Sequence, residues 1–265
     1  MQISNEDKKF LELYSDSVYE KPSVTVDAVI FRLIDKDTGN YRKLPEKKLQ
    51  VYLTKRKFSP FKDKYAVVGT FIDLNTELSN TMKLCVKNKV GLENFYYEQL
   101  YTFGEKQRDP RTRVLSVSYM LLTNKNEDLQ NGAWFDIDLR QVSNETISRD
   151  NGYSHSKKIE LTLTSEEIKL KNSLNIKIEK DNIEKLREVE ITESDIAFDH
   201  IKIIYYALER LKNKLEYTDI IFNLLPEKFT LTELKNSYEV ILGEKLLDAN
   251  FRRKTADLVL PLNEY

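Results

Sequence analysis

Apolar residues alternate with polar ones through much of the first two-thirds of the chain and change to helical spacing in the last third. Residues 24–33, VTVDAVIFRL, and 49–57, LQVYLTKRK, read as strands, the second with Leu49, Val51, Leu53 and Lys55 along one face. A charged turn containing Gly39 and Pro45 lies between them. A third strand near 65–68 leads into a helix that would pack through Leu78, Met82, Cys85 and Val86, and a further strand follows at 113–122. Strands flanking a helix in this order predict an α/β sandwich around a mixed sheet. From 125 to 193 comes a polar loop, Trp134 in AWFDIDL, and the runs KKIELTLT, EIKLKNSLNIKI and LREVEIT. These predict antiparallel strands with one solvated face, completing the first domain. Residues 1–20 read as a short helix and a flexible lead-in.

From about residue 194 the period becomes helical. Phe198, Ile201, Ile204, Tyr205, Leu208, Leu211 and Leu215 fall on one face, which predicts a long helix linking two halves of the protein. After Pro226, the segment FTLTELKNSYEVILG carries Thr230 and Glu233 at capping-box spacing and ends in Gly243. A short turn, 244–247, then leads to DANFRRKTADL, with Asp248 as the expected N-cap. Helix, turn and basic second helix follow the helix-turn-helix plan, in which the second helix enters the major groove. Asn250, Arg252, Arg253 and Lys254 supply the chemistry: Asn pairs with adenine, Arg with guanine, and Lys neutralises phosphate. The same cluster also reads as an ordinary solvated helix face.

Composition narrows the class. At 265 residues, with 40% hydrophobic and 11% aromatic content, the chain is long enough for two domains with real cores. A net charge of −1 excludes a strongly basic protein, so nucleic-acid contact must come from a local patch. No apolar run is long enough to cross a bilayer and the N-terminus lacks a signal-peptide core, which predicts a cytoplasmic protein with no membrane partner. The single cysteine, Cys85, cannot form an internal disulfide. Its apolar-face position predicts packing, although lysines two and four residues on would favour a thiolate. Neither His155 nor His200 has metal-ligand company at useful spacing, so no metal site and no cofactor is expected.

Residues 69–92, GTFIDLNTELSNTMKLCVKNKVGL, resemble a Nudix box. Gly69, Phe71, Ile72, Asp73, Leu78, Gly91 and Leu92 match its framework without gaps. The family's Arg-Glu-aliphatic-x-Glu-Glu core falls on Leu84, Cys85, Val86, Lys87, Asn88 and Lys89, so the arginine and all three metal-binding glutamates are replaced. Two-metal activation of water needs several oxygen ligands, and lysines there would repel the ions. The box is thus degenerate at Cys85, Asn88 and Lys89, with no catalytic residue identified.

The C-terminal run, with AFDH, LEYT, LLPEKFTLTEL and NFRRK, resembles the linker and winged helix of the Nudix-related transcriptional regulator (NrtR) family. LTKRKFSPFKDKYAVVGTFID and LYTFGEKQRDPRTRVLSVSYMLL resemble its first domain. The resemblance implies a lead-in at 1–22, a Nudix-like sensor domain at 23–195 and a linker helix with a winged helix-turn-helix at 196–265. The implied fold is an α/β sandwich with a mixed sheet followed by that DNA-binding domain. The implied function is a homodimeric transcriptional regulator that holds operator DNA and senses ADP-ribose, another NAD-related nucleotide or a sugar.

Carried over by motif, the ligand pocket would use Arg56, Arg108, Asp109, Arg111 and Arg113, since guanidiniums give planar, multidentate donors to phosphate. RDPRTR also reads as a solvated turn. Tyr101 or Phe103 would stack on a base or belong to the core. Two features depart from the family: LVLPLNEY brings the chain to Tyr265, short of a full wing, and six glutamates between 209 and 244 nearly cancel the basic charge there. DNA binding would then be modest or dimer-dependent. Two alternatives stand beside this reading: a divergent Nudix hydrolase with metal ligands from Asp73, Glu77 or Glu93, and an interaction module that binds neither ligand nor DNA.

Overall fold

The computed structural model describes residues 4–15, 19–36, 39, 45–125, 129–166, 168–181 and 185–262. The elements in chain order are α1 (Asn5–Leu13), β1 (Ser23–Lys36), β2 (Glu46–Lys55), β3 (Tyr65–Ala66), β4 (Val68–Phe71), α2 (Leu78–Val90), β5 (Tyr96–Phe103) and β6 (Val114–Leu122). They continue with β7 (Gly132–Arg149), β8 (Gly152–Ser165), β9 (Ile168–Lys180), β10 (Lys185–Ser194), α3 (His200–Lys214), α4 (Leu231–Leu242) and α5 (Asp248–Thr255).

One mixed sheet runs in the order β10-β9-β8-β7-β2-β1-β6-β5, with β3 beside β2 and β4 beside β1. The β1–β6 pair is parallel, with Val26 opposite Val117, and the other pairings in that path are antiparallel. β1 is central and covered on both faces, so its apolar run is nearly continuous. Val26, Ala28 and Ile30 pack under α2 with Met82, Cys85, Val86 and Val90. Val29, Phe31 and Leu33 face the other way, onto Ile201, Ile204, Tyr205 and Leu208 of α3. That second core continues without a break to Leu234 and Tyr238 of α4 and Phe251 of α5. The expected domain boundary after residue 195 falls in the β10–α3 connection.

Several local expectations are met. Thr230 and Glu233 form a reciprocal capping box, and Gly91 and Gly243 end α2 and α4 in the left-handed region at φ 79° and 77°. AWFDIDL, which contains Trp134, lies in β7, and the three runs after it lie in β8, β9 and β10. Of the charged turn between β1 and β2, only Gly39 and Pro45 are among the described residues.

Other expectations need correction. β2 is buried on both faces, not one: Leu49, Val51 and Leu53 belong to the α3-side core, while Tyr52 packs in the α2-side core and Gln50 is buried between Arg32 and Asp136. Lys55 is exposed at the strand's end. Leu78 is 36% exposed at the start of α2, and Thr81 and Val90 are buried in addition to Met82, Cys85 and Val86. The third strand is two short pieces, β3 and β4, either side of Val67. β5 was not foreseen, because YYEQLYTF lies at the sheet edge and lacks clean alternation. Asp248 is not the cap of α5: Leu247 holds that position, and the Asp248 carboxylate accepts from Lys235 Nζ at 2.5 Å. After α5 the described residues form no strand.

Candidate ligand cavity and DNA-reading helix

A cavity of about 520 Å³ opens where β1, the ends of β2 and β4, the last turn of α2, the β5–β6 loop and the start of α3 converge. Its volume suits a small-molecule ligand. Its floor is set by Gly69. A Cβ there would lie 1.9 Å from Asp27 Oδ1, so only glycine lets β4 close on β1 at this point. Asp27 is buried and accepts from Ser116 Oγ and, at 3.3 Å, from Thr25 Oγ1.

Arg108 reaches from the β5–β6 loop and forms a two-point ion pair with Asp199, with Nε–Oδ2 at 2.9 Å and Nη2–Oδ1 at 2.7 Å. Both side chains are buried, at 4% and 7% exposure, and Asp27 lies 4.0 Å away on the other side. Asp199 sits at the N-cap position of α3 but does not cap it, since its carboxylate is occupied by Arg108. His200, the next residue, is buried, and its Nδ1 accepts from the Val67 amide at 3.2 Å. Burial lowers the His200 pKa below its ordinary value and so favours the neutral ring that this hydrogen bond requires.

The other cavity cations are more open. Arg111 forms two hydrogen bonds with Asp109, at 3.0 and 2.7 Å, and remains 44% exposed. Burial opposes ionisation of Asp109, but hydrogen bonds from Arg111 outweigh it and hold its pKa below the usual carboxylate range. Arg56 donates to the Pro60 carbonyl at 2.9 Å and lies 4.6 Å over the Phe198 ring. Burial, and then the charge of Arg111, lower its pKa. Lys89, exposed at the end of α2, donates to the Gly69 carbonyl, and Asn88 lies beside it on the wall.

Arg56, Arg108, Asp109 and Arg111 therefore line one cavity, together with Gly69, Asn88 and Lys89 of the degenerate box. Arg113 does not: it is exposed outside the lining, where its carbonyl accepts from the Ser23 amide as β6 begins. Tyr101 and Phe103 are also elsewhere, in an aromatic cluster with Tyr206. The aromatic walls are instead Phe58, Phe71 and Phe198, which lie on three separate segments. Cys85 is buried and burial raises its thiol pKa, so it is a packing residue and not a reactive thiolate. The carboxylates considered for a metal do not converge. Asp73 accepts from the Asn75 amide, Glu93 pairs with Lys87 at 3.0 Å, and neither they nor Glu77 line the cavity.

At the other end of the chain, Phe251 anchors α5 by packing edge-on against Tyr238, with ring centroids 5.4 Å apart. This leaves Asn250, Arg252 and Arg253 exposed. Lys254 is exposed too, but its Nζ turns inward to the Leu215 carbonyl at the end of α3, at 3.4 Å.

Residues 221–265 match the family described as the NrtR DNA-binding winged helix domain. The chain is 30% identical over 252 residues to the ADPR responsive transcriptional repressor NtrR of Acinetobacter baylyi, covering 94% of this chain and 78% of that one. The chain belongs to the NrtR family. It is a DNA-binding transcriptional regulator with a Nudix-like domain. Its fold is similar to that of Shewanella oneidensis NrtR, at a TM-score of 0.57 and 25% identity over 88% of this chain and 83% of that one. A MutT/nudix family protein from Enterococcus faecalis superposes at a TM-score of 0.69, with 24% identity over 98% and 90% of the two chains. As an NrtR-family protein it joins its Nudix-like cavity to its winged helix through α3: one end of that helix forms cavity wall, and the other receives Lys254 of α5. Among the described residues no helix is long and apolar enough to cross a membrane.

Proposed function

We propose that this regulator binds ADP-ribose, or a closely related nucleotide diphosphate, in the cavity and answers by changing its hold on operator DNA. The observation that carries the reading is the shared wall. Phe198 and His200 line the cavity, and the buried Arg108–Asp199 pair ties the β5–β6 loop to the first residues of α3. The Acinetobacter relative is an ADPR responsive repressor, which supports this effector class.

Arg56 and Arg111 are the open guanidiniums for phosphate, and the exposed rings of Phe58 and Phe71 offer stacking faces for a base. Arg108 is a positioning residue, not a phosphate arm, because its side chain is only 4% exposed and Asp199 holds two of its donors, whereas Arg111 is 44% exposed. α3 has 15 residues and so spans roughly 22 Å. A ligand that favours one seating of its N-terminus moves the DNA-reading end as a rigid lever, and only differential affinity for the two seatings can switch DNA binding. The regulator acts in the cytoplasm as a homodimer, with residues 23–195 as its sensor unit. α5 reads DNA through Asn250, Arg252 and Arg253.

The test is salt-dependent binding of the purified protein to its own upstream DNA, with and without ADP-ribose. Sequence-selective binding that ADP-ribose weakens or strengthens supports the proposal. Binding no better than to random DNA, or indifferent to ADP-ribose, defeats it.

A further inference from the structure

The cavity is lined by six cationic side chains, Lys55, Arg56, Lys57, Lys89, Arg108 and Arg111, against two carboxylates, Asp27 and Asp109. Both carboxylates are engaged: Asp27 holds Ser116 and Thr25 beside Arg108, and Asp109 holds Arg111. A divalent cation needs several free oxygen ligands, and a backbone carbonyl can be one of them. The Gly69 carbonyl is taken by the ammonium of Lys89. Among the described residues, no three His, Cys, Asp or Glu side chains come together to hold a metal. These residues do not fit a divalent metal ion.

We infer that Lys89 is the fixed cation that receives the diphosphate of the effector, and that binding requires no divalent metal. The inference rests on the proposed effector and names the chemistry by which the cavity holds it. Lys89 is placed for this work by short-range structure. It lies in the last turn of α2, its carbonyl accepts from Asn131 Nδ2 at 2.8 Å, and Gly91 closes the helix two residues on. An ammonium carries three donors, so one can stay on the Gly69 carbonyl while two turn to phosphate oxygens. That bond fixes the charge on the wall of the cavity that the half-exposed guanidinium of Arg111 also lines. A diphosphate placed between them would meet two cations without the entropy cost of recruiting an ion.

Calorimetric titration of the full chain with ADP-ribose and with inorganic pyrophosphate, each in excess EDTA and in Mg²⁺, tests this. Wild type is expected to bind equally well in both media. Lys89→Gln should weaken both ligands roughly tenfold to a hundredfold, the loss of one charge-assisted phosphate contact. Lys89→Glu should bind neither ligand in either medium, since a carboxylate there repels the diphosphate and one carboxylate is too few ligands to hold Mg²⁺. Lys89 is exposed, so both variants should stay folded, with the unfolding midpoint lowered by no more than about 2–4 °C. ADP-ribose binding that Lys89→Gln leaves unchanged, or wild-type binding lost in EDTA, overturns the inference and leaves the effector proposal standing. Lys89-dependent pyrophosphate binding with no ADP-ribose binding does the reverse.

Discussion

Replacing Arg108 with methionine keeps the volume of its stem and removes the charge that faces both Asp199 and Asp27. The Arg108–Asp199 pair is 4% and 7% exposed, so the carboxylates left behind cannot recover their lost partner from water. Removing one partner of a buried pair costs about 3–5 kcal/mol. For a chain of this size that lowers the melting temperature by about 6–20 °C. Asp199→Asn should cost less, about 1–3 kcal/mol, because it keeps one acceptor and leaves Arg108 with Asp27 at 4.0 Å. The double variant has no unpaired guanidinium and one fewer stranded carboxylate. It should be more stable than the two single losses sum to, with a coupling of about 1–3 kcal/mol. Urea unfolding followed by circular dichroism measures all four corners of the cycle. The DNA-binding titration with ADP-ribose adds the functional readout: the double variant should bind DNA yet respond weakly to effector. A coupling below about 0.5 kcal/mol, or a double variant with full effector response, would refute the assignment of this pair as the link between cavity and helix.

Gly69→Ala drives a methyl into the Asp27 carboxylate and should cost about 2–3 kcal/mol while abolishing ligand binding; a wild-type melting temperature would contradict the close approach of β4 to β1. His200 contributes through linkage with a definite sign. Its folded pKa lies below the ordinary 6.5, so the unfolded chain takes up the proton first, and its stabilising contribution is full above 6.5 and lost as pH falls toward the folded value. His200→Asn keeps an acceptor for the Val67 amide but cannot titrate there, so its stability should vary less as the pH falls below 6.5; an unchanged slope sinks the argument. On α5, Arg252→Ala and Arg253→Ala should each weaken operator binding by about 1–3 kcal/mol with the fold intact, whereas Lys254→Ala should act mainly on stability through its contact with Leu215. Equal losses of DNA affinity at all three positions, with no change in melting, would contradict the inward turn of Lys254.

What the sequence determined by itself was whatever neighbouring residues decide among themselves. The apolar runs of β1, β2 and β6, the period of α3, the Thr230–Glu233 box and the Gly91 and Gly243 caps are set within a few residues of chain, and they carried the fold class and the helix-turn-helix with them. Four of the five carried-over ligand residues also reached the cavity, because they lie on motifs short enough to move as units. Tertiary structure decided which partners those side chains would meet. Arg108 and Asp199 are separated by 91 positions, and only the packing of α3 against the sheet turns that arginine from a phosphate donor into a structural tie. The aromatic walls Phe58, Phe71 and Phe198 come from three segments, so no window of sequence could group them. Asp248 had cap chemistry, yet Lys235 of α4 captured its carboxylate. Local propensity fixes where elements start and stop, whereas charged side chains with several possible partners are assigned by burial and distance, which exist only once the chain has folded.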